Sequence, residues 1–403
     1  MPYTELLVFG LIFIVLALLS ICIRFYMQCR KYAAIKSNDV EMPKIQGEDN
    51  PSEEISTKVA DNKISYEQYR ERFEIDRERL KIVPIPMNKL GEGYFGITYR
   101  AELTRNNPDV KLLVATKRAH EKKYKQEILM KEILVMCVMA DRKHPNLLAI
   151  VGAITSNPME TWIVTELAAT DLKNYIGKNR TNFDDMLSGN HKTDEITIND
   201  EYNTLSSLDL ILFAYQISKG MEHLTNIPCV HRDLALRNVL ITERKIIRIG
   251  DFGLAMKYED KDYLSKSPIP KNRIPSHSAP EIINEGKYTE KSDIWSFGLC
   301  LFQLFTLSTD TDLYSKEDVE EFMKNNNPLK CRSEIFEFLE MCWYDKPRHR
   351  PNFKTCVYTF KCELNRFSNQ IHKNIEAKLD LEAKQQLELE KWTNSGGSHE
   401  ETE

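Results

Sequence analysis

Apolar and polar positions divide the chain into stretches of different period. Leu6 to Ile23 is an unbroken apolar run of eighteen residues without a charge, fourteen of them Leu, Ile, Val or Phe. As a helix it extends roughly 27 Å at ~1.5 Å per residue, enough for a bilayer's hydrocarbon core. Residues 37–62 carry no apolar pattern and read as a flexible linker. Ser65 to Leu80 has a helical pattern bearing Tyr and Arg. From Ile82 to Leu167 short apolar runs alternate with turn signals, the signature of strands. From Leu172 the spacing becomes mainly helical, with a polar, Asn- and Asp-rich interruption at 178–204. After Asn369 a charged helix rich in Gln, Glu, Lys and Leu is predicted, dissolving into a Ser/Gly/Glu end. Strands first and helices later predict an α+β domain with two lobes.

The basic residues lie after the apolar run, at Arg24, Arg30, Lys31 and Lys36, and only Glu5 precedes it. A cleaved signal peptide would carry its basic residues in front. The run is therefore predicted to be one transmembrane helix (6–23), with residues 1–5 outside the cell and everything after Arg24 in the cytosol, most naturally at the plasma membrane. With five residues ahead of it, no ectodomain large enough to bind a ligand is expected, and the span holds no GxxxG pair to drive its self-association. Averaging hides the span: mean hydropathy is −0.44. Lys and Arg total 55 against 60 Asp and Glu, a net charge of −5 that argues against nucleic acid as a partner. The nine cysteines are scattered and form no CxxC pair, so free thiols are expected rather than a disulfide framework or a zinc site.

Four motifs carry chemistry. Gly91-Glu-Gly93-Tyr-Phe-Gly96 follows the short run Met87–Leu90, and its glycines let a backbone approach phosphate oxygens closely. Ile97-Thr-Tyr-Arg continues as a strand, which favours a hairpin flap over a helix-opening turn. Val114-Ala115-Thr116-Lys117 is a strand ending in a lysine fit to neutralise phosphate charge. Its carboxylate partner is expected on the helical run 125–139, where Glu132 is preferred over Glu127. His231-Arg232-Asp233-Leu-Ala-Leu-Arg237-Asn238 puts a carboxylate and an amide on one tight loop, and Asp251-Phe-Gly253 follows eighteen positions after Asp233.

Together, in this order, these motifs resemble the eukaryotic protein kinase family over about residues 84–368. Ala279-Pro-Glu281, the Asp293-Ile-Trp295-Ser-Phe-Gly298 helix and Arg350 match the same pattern. Ala235 and Arg237 stand where the receptor tyrosine kinases have theirs, and residues 178–204 resemble the insert of the split-kinase receptors. The resemblance implies a two-lobed fold, a β-rich N-lobe and an α-helical C-lobe, between a juxtamembrane region (24–83) and a C-terminal tail (369–403). It implies transfer of the ATP γ-phosphoryl group to a protein tyrosine hydroxyl, with Mg²⁺. Gly91, Glu92, Gly93, Tyr94, Phe95, Gly96, Ile97, Thr98 and Tyr99 would cover the phosphates. Lys117 would hold them, paired with Glu132, and Asn238 and Asp251 would hold the metal. Asp233 would orient the hydroxyl and accept its proton, helped by Arg237. Ala115 and Leu240 would sandwich adenine, Glu166 and Ala168 would pair with its edge, and Thr165 would guard the back of the pocket.

Three positions depart from the family's pattern. Thr98 replaces a valine, the segment Arg273–Glu281 is one residue short and lacks a tryptophan, and Tyr263 is a single activation-loop tyrosine. A non-catalytic scaffold and a dual-specificity or Ser/Thr kinase are the rival readings. Protein substrates are the expected partners, with dimerisation or a co-receptor supplying any signal input.

Overall fold

The computed structural model describes residues 65–82, 88–93, 96–104, 110–120, 123–157, 160–187, 198–257, 278–309 and 330–394. The run Leu6–Ile23, the linker, Tyr94, Phe95, residues 188–197 of the insert, Tyr263 and residues 273–277 lie outside them. Among the described residues no helix is long and apolar enough to cross a membrane.

Before the first strand come two 3-10 turns, Tyr66–Tyr69 and Arg77–Arg79, on either side of the one-turn helix α1 (Arg70–Phe73). The continuous helix expected from Ser65 to Leu80 does not form. Phe73, Ile75 and Leu80 are all buried, and no single helical face could carry that spacing. Instead the backbone turns so that the Ile75 amide donates to Ala153 O at 2.8 Å. Gly152 makes room, since a Cβ there would lie 2.3 Å from Ile75 Cδ1.

Strands β1 (Leu80–Ile82), β2 (Lys89–Glu92), β3 (Gly96–Thr104), β4 (Lys111–Ala119), β5 (Ile150–Ile154) and β6 (Trp162–Glu166) form one antiparallel sheet, ordered β1-β3-β4-β6-β5 with β2 on β3. Its residues alternate between two apolar clusters. Ala101, Leu103, Val114, Val151 and Val164 face one way with Ile75 and Leu80. Ala153 and Ile163 face the other, with Leu129, Ile133 and Met136 of helix α2 (Lys123–Ala140).

That second cluster runs on into the helical lobe. Here β7 (Thr170–Asp171) leads into α3 (Leu172–Asn179), whose N-terminus is capped by Asp171. The short strands β8 (Phe183–Asp184) and β9 (Leu205–Ser206) pair at the edge of the insert. Helix α4 (Ser207–Asn226) is buried over most of its circumference and forms the lobe's centre. Ser206 and Asp209 close its first turn as a capping box. The strand β10 (Cys229–Val230), the hairpin β11 (Val239–Ile241) and β12 (Ile247–Ile249), and β13 (Met256–Lys257) carry the loops of the cleft. Helices α5 (Pro280–Glu285), α6 (Glu290–Thr306), α7 (Ser333–Cys342), α8 (Phe353–Phe367) and α9 (Asn369–Asn394) complete the lobe.

Ile64–Glu403 packs as one compact unit, so the segments on either side of the expected 84–368 domain share its core. Phe73 and Ile75 on one side, and Ile371, Ile375 and Leu379 on the other, are buried in the same two clusters as the lobes. The predicted tail helix forms, but it is part of the packed body. The cysteines among the described residues are free, and most are buried.

Candidate active site

The loop after β10 is held from below by one carboxylate. Asp293, in the first turn of α6, accepts the His231 amide at 2.7 Å and the Arg232 amide at 2.9 Å. Burial pushes Asp293 up to about 6, against the pull of His231 and the two amides. The reward is a backbone held where chains seldom go, with Arg232 at φ 71°. His231 Nε2 meets Gly250 O at 3.1 Å, and the Arg232 guanidinium stacks 4.2 Å from the Tyr288 ring centre. Asp233 is thereby presented on a fixed turn. Arg237 Nη2 donates to its Oδ1 at 2.5 Å and Asn238 Nδ2 to its Oδ2 at 2.9 Å.

The hairpin β11–β12 sets the second acidic residue beside the first. Val239 pairs with Ile249, and the Gly250 amide donates to Asn238 O at 2.9 Å. Asp251 follows directly, in a left-handed conformation at φ 57°. The next residue, Phe252, is buried against the His231 ring, centroids 5.3 Å apart.

Lys117 reaches this corner from β4. Its Nζ lies 2.8 Å from Glu132 Oε2 on α2 and 2.8 Å from Asp251 Oδ1. Glu127, the rival carboxylate, is exposed. Burial pulls Lys117 down, but the two carboxylates more than offset this and hold it above the ordinary lysine range, cationic. Burial likewise pushes Asp251 up, and the Lys117 ammonium brings it below the ordinary carboxylate range. Glu132 is the member that burial dominates, and its carboxyl sits up at about 6. One cation thus serves two acids, the more deeply buried of which bears the desolvation cost. Gly253 leaves little room beside them, because a Cβ there would lie 3.3 Å from Glu132 Oε2.

These groups open into a cleft of about 510 Å³. Its lining brings together Gly91, Glu92, Gly93, Gly96, Thr98, Ala115, Lys117, Glu132, Thr165, Glu166, Ala168, Asp233, Arg237, Asn238, Leu240 and Asp251. The flap is closed at its base by the Gly93 amide donating to Gly96 O at 2.9 Å. Gly96 itself tolerates no side chain, since a Cβ would lie 2.1 Å from Arg118 O. Ile97 and Tyr99, expected in the cleft, are not among its lining residues. Strand alternation turns them away from Thr98, and Tyr99 packs on the Ile75 and Leu80 cluster.

The sequence reading missed the cleft's apolar walls at Leu90, Met136 and Leu148, and its rim at Asp171 and Asn174. Nothing in the sequence signalled the direction of the Glu166 side chain. Its carboxylate accepts the Ala149 amide at 2.8 Å and the Gln386 amide group at 2.7 Å on Oε1, and Arg248 Nε at 3.1 Å on Oε2. Below the cleft, Arg350 binds Glu281 through both guanidinium nitrogens, at 2.6 and 2.8 Å, as the match to the kinase pattern implied.

A lysine held by a carboxylate above, with an acid and an amide on one loop and a second acid beside them, is the equipment of a phosphoryl transferase. The family described as protein tyrosine and serine/threonine kinase matches residues 86–360. The chain is 35% identical to the tyrosine-protein kinase receptor old-1 of Caenorhabditis elegans, over 84% of this chain and 69% of that one. It is 33% identical to the receptor-like tyrosine-protein kinase kin-15 of the same organism, over 89% and 80%. With the tyrosine-protein kinase receptor ver-3, also of C. elegans, it shares 31% over 94% of this chain but only 34% of the relative. The chain belongs to the protein tyrosine and serine/threonine kinase family, and its activity is that of a protein-tyrosine kinase.

Proposed function

We propose that the protein is a membrane-anchored tyrosine kinase acting in transmembrane signalling, with Asp233 as the base, Lys117 and Glu132 as the phosphate-holding pair, and Asn238 and Asp251 as metal ligands. The observation that carries the reading is the convergence of Lys117, Glu132 and Asp251 within hydrogen-bond distance in the lining of one cleft. The anchor rests on the Leu6–Ile23 run and the basic residues after it.

The donor set fits Mg²⁺. Asn238 spends its Nδ2 on Asp233, which leaves its carbonyl oxygen as a hard ligand, and Asp251 adds carboxylate oxygen. Among the described residues no three His, Cys, Asp or Glu side chains form a cage. Mg²⁺ usually completes its shell with water and substrate phosphate, so two protein ligands suffice. When bound, it neutralises charge on the β- and γ-phosphates.

Adenine lies between Ala115 and Leu240, with the backbone of Glu166 to Ala168 along its edge. Lys117 holds the α- and β-phosphates. Asp233, fixed by Arg237 and Asn238, accepts the proton of the substrate hydroxyl as its oxygen bonds to the γ-phosphorus. The bond from that phosphorus to the β–γ bridging oxygen breaks, and ADP leaves. The Arg237 guanidinium lies against the same carboxylate and offsets charge near the hydroxyl. The tyrosine-type loop, with Ala235 where a lysine would mark a serine/threonine enzyme, supports tyrosine as acceptor.

The test is the full chain in detergent micelles with Mg·ATP and a mixed peptide library, beside Asp233→Asn. Phosphotyrosine from the first and a loss of at least a hundredfold in the second are expected. Equal activity in both would remove Asp233 from the role, and phosphoserine as the main product would overturn the acceptor. Protease protection of the extreme N-terminus in sealed vesicles, with cytosolic exposure of the kinase domain, tests the anchor.

A further inference from the structure

The tail helix α9 crosses the back of the molecule from one lobe to the other. Twenty-six residues extend about 39 Å at ~1.5 Å each. At its start Ile371, Ile375 and Leu379 are buried in the helical lobe's core. Glu376 binds Lys219 at 2.7 Å and Tyr215 Oη at 2.9 Å, both on α4. At its far end Glu390 binds Arg72 at 2.5 Å and also Lys143, both on the sheet lobe's side.

Between these anchors the same stripe of the helix changes character. Glu382 and Gln386 are 4% and 5% exposed, polar residues where the pattern calls for apolar ones. A buried amide or carboxylate is costly unless it is hydrogen-bonded. Both are; Arg244 pairs with Glu382 Oε1 at 3.0 Å, and one further partner of each residue leads to the same place. Glu382 Oε2 accepts Arg248 Nη2 at 2.6 Å, and Arg248 Nε in turn holds Glu166. Gln386 Nε2 donates directly to Glu166 Oε1 at 2.7 Å and to Leu147 O at 3.2 Å. Glu166 is the last residue of β6, where the sheet lobe passes into the helical one.

We propose that α9 is a strap that positions the nucleotide-binding segment, with Gln386 as a positioning residue acting on ATP affinity through Glu166 from the face opposite the nucleotide. The inference rests on the assignment of Glu166–Ala168 to adenine. The side chain of Glu166 is fixed from behind by β5's approach, by β12 and by the tail, so its backbone is presented to the cleft in one place. Loss of the tail's share leaves a buried carboxylate with one donor fewer. The segment then adjusts, and the nucleotide meets a less preorganised edge.

The experiment compares full-length variants for ATP KM, kcat and the dissociation constant of a fluorescent ADP analogue. Gln386→Leu keeps the side chain's bulk and removes its amide. It is expected to raise ATP KM and the analogue's Kd about fivefold to tenfold, the scale of one charge-assisted hydrogen bond partly transmitted, with kcat within about twofold. In a Glu166→Ala background the same substitution is expected to have no further effect, because the two act as one unit. Lys378→Ala, on the same helix but paired only with the exposed Asp200, should leave both constants at the wild-type value. A folded Gln386→Leu protein with wild-type KM and Kd, whatever its thermal midpoint, overturns the proposal. Should that variant fail to fold, Glu382→Gln carries the test with the same expected rise and the same refutation. Ala168→Pro, which removes one backbone donor from the adenine edge, separates the two levels. If it raises KM while the tail variants do not, the strap alone fails. If it too leaves KM unchanged, the adenine assignment fails and takes the strap with it.

Discussion

Asp293→Asn replaces one atom in a buried group and should cost most of the enzyme's rate. The carboxylate's two oxygens are each engaged, with His231 N at 2.7 Å and Arg232 N at 2.9 Å. An asparagine has one oxygen to offer. Its NH2 would face the remaining amide, so one charge-assisted bond becomes a clash of two donors. A hydrogen bond to a charged group contributes about 1.5–3 kcal/mol, and a buried unsatisfied donor costs about 1–3 kcal/mol. Against this stands a gain, because the asparagine does not bear the desolvation that pushes Asp293 up to about 6. A net loss of about 2–4 kcal/mol remains. Arg232, at φ 71°, is the weak point, since a left-handed non-glycine residue persists only where its surroundings over-determine it. The loop should relax there first and carry Asp233 out of register. At about 1.4 kcal/mol per decade, kcat should fall between about thirtyfold and about seven-hundredfold. ATP KM should change little, because Lys117, Ala115 and Leu240 sit on other elements. Steady-state phosphorylation of a tyrosine peptide by the full chain, beside a thermal melt, measures both. A protein with a lowered melting point and kcat within twofold of wild type would show that the loop keeps its shape without Asp293.

Catalytic efficiency should fall with acid around pH 6, where Glu132 takes up a proton and gives up its ionic hold on Lys117; a limb near pH 4.5 would contradict the buried pairing. Because Glu132 lies above its ordinary value in the folded state, its stability contribution runs the other way: the folded chain binds more protons than the unfolded one between about pH 4.5 and 6, so this group favours folding more as pH falls through that window, as a denaturation series would detect. Arg350→Leu, which strands Glu281 in the interior, should cost about 3–5 kcal/mol in urea unfolding, whereas the double replacement Arg350→Leu with Glu281→Leu should recover most of it. Gly298→Ala would set a Cβ 2.7 Å from Trp343 Nε1 and 2.8 Å from Cys342 Cβ, so it should destabilise by about 1–3 kcal/mol and leave ATP KM unchanged, read by a melt and a substrate titration.

The positions proposed as catalytic stand close in sequence to one another. Asp233 and Asn238 share one turn, as their spacing predicts, and the hairpin that follows brings Asp251 beside them, as the resemblance implied. Thr98, Ile97 and Tyr99 show the limit of that logic. A motif names consecutive residues, but a strand sends them to alternate faces, and only Thr98 of the three lines the cleft. Glu166 shows a second limit. The backbone role proposed for it came from the resemblance, whereas its side chain answers to Ala149, Arg248 and Gln386, from three separate parts of the chain.

The tail forms the helix its sequence predicts, but where that helix packs was not legible, for a physical reason that follows from its composition. In sequence, Asn369–Asn394 is a charged helix, and such helices are usually solvated faces. What distinguishes this one is where its partners are. Gln386 meets Glu166 across 220 positions and Glu390 meets Arg72 across 318. No local pattern encodes a pairing at that distance, and each charge taken singly looks like surface. Buried Ile371, Ile375 and Leu379 recur at every fourth position, and Glu382 and Gln386 then continue the same stripe as polar residues. An apolar stripe that turns polar midway marks a helix that runs off a hydrophobic core onto a polar seam. Here the seam lies beside Glu166, at the junction of the lobes. The helix therefore belongs to the catalytic body rather than to an appendage. Removing residues after 368 should be treated as removing part of the wall behind the nucleotide site, since Ile371 and Ile375 would leave a hole in the core and Glu166 would lose a donor.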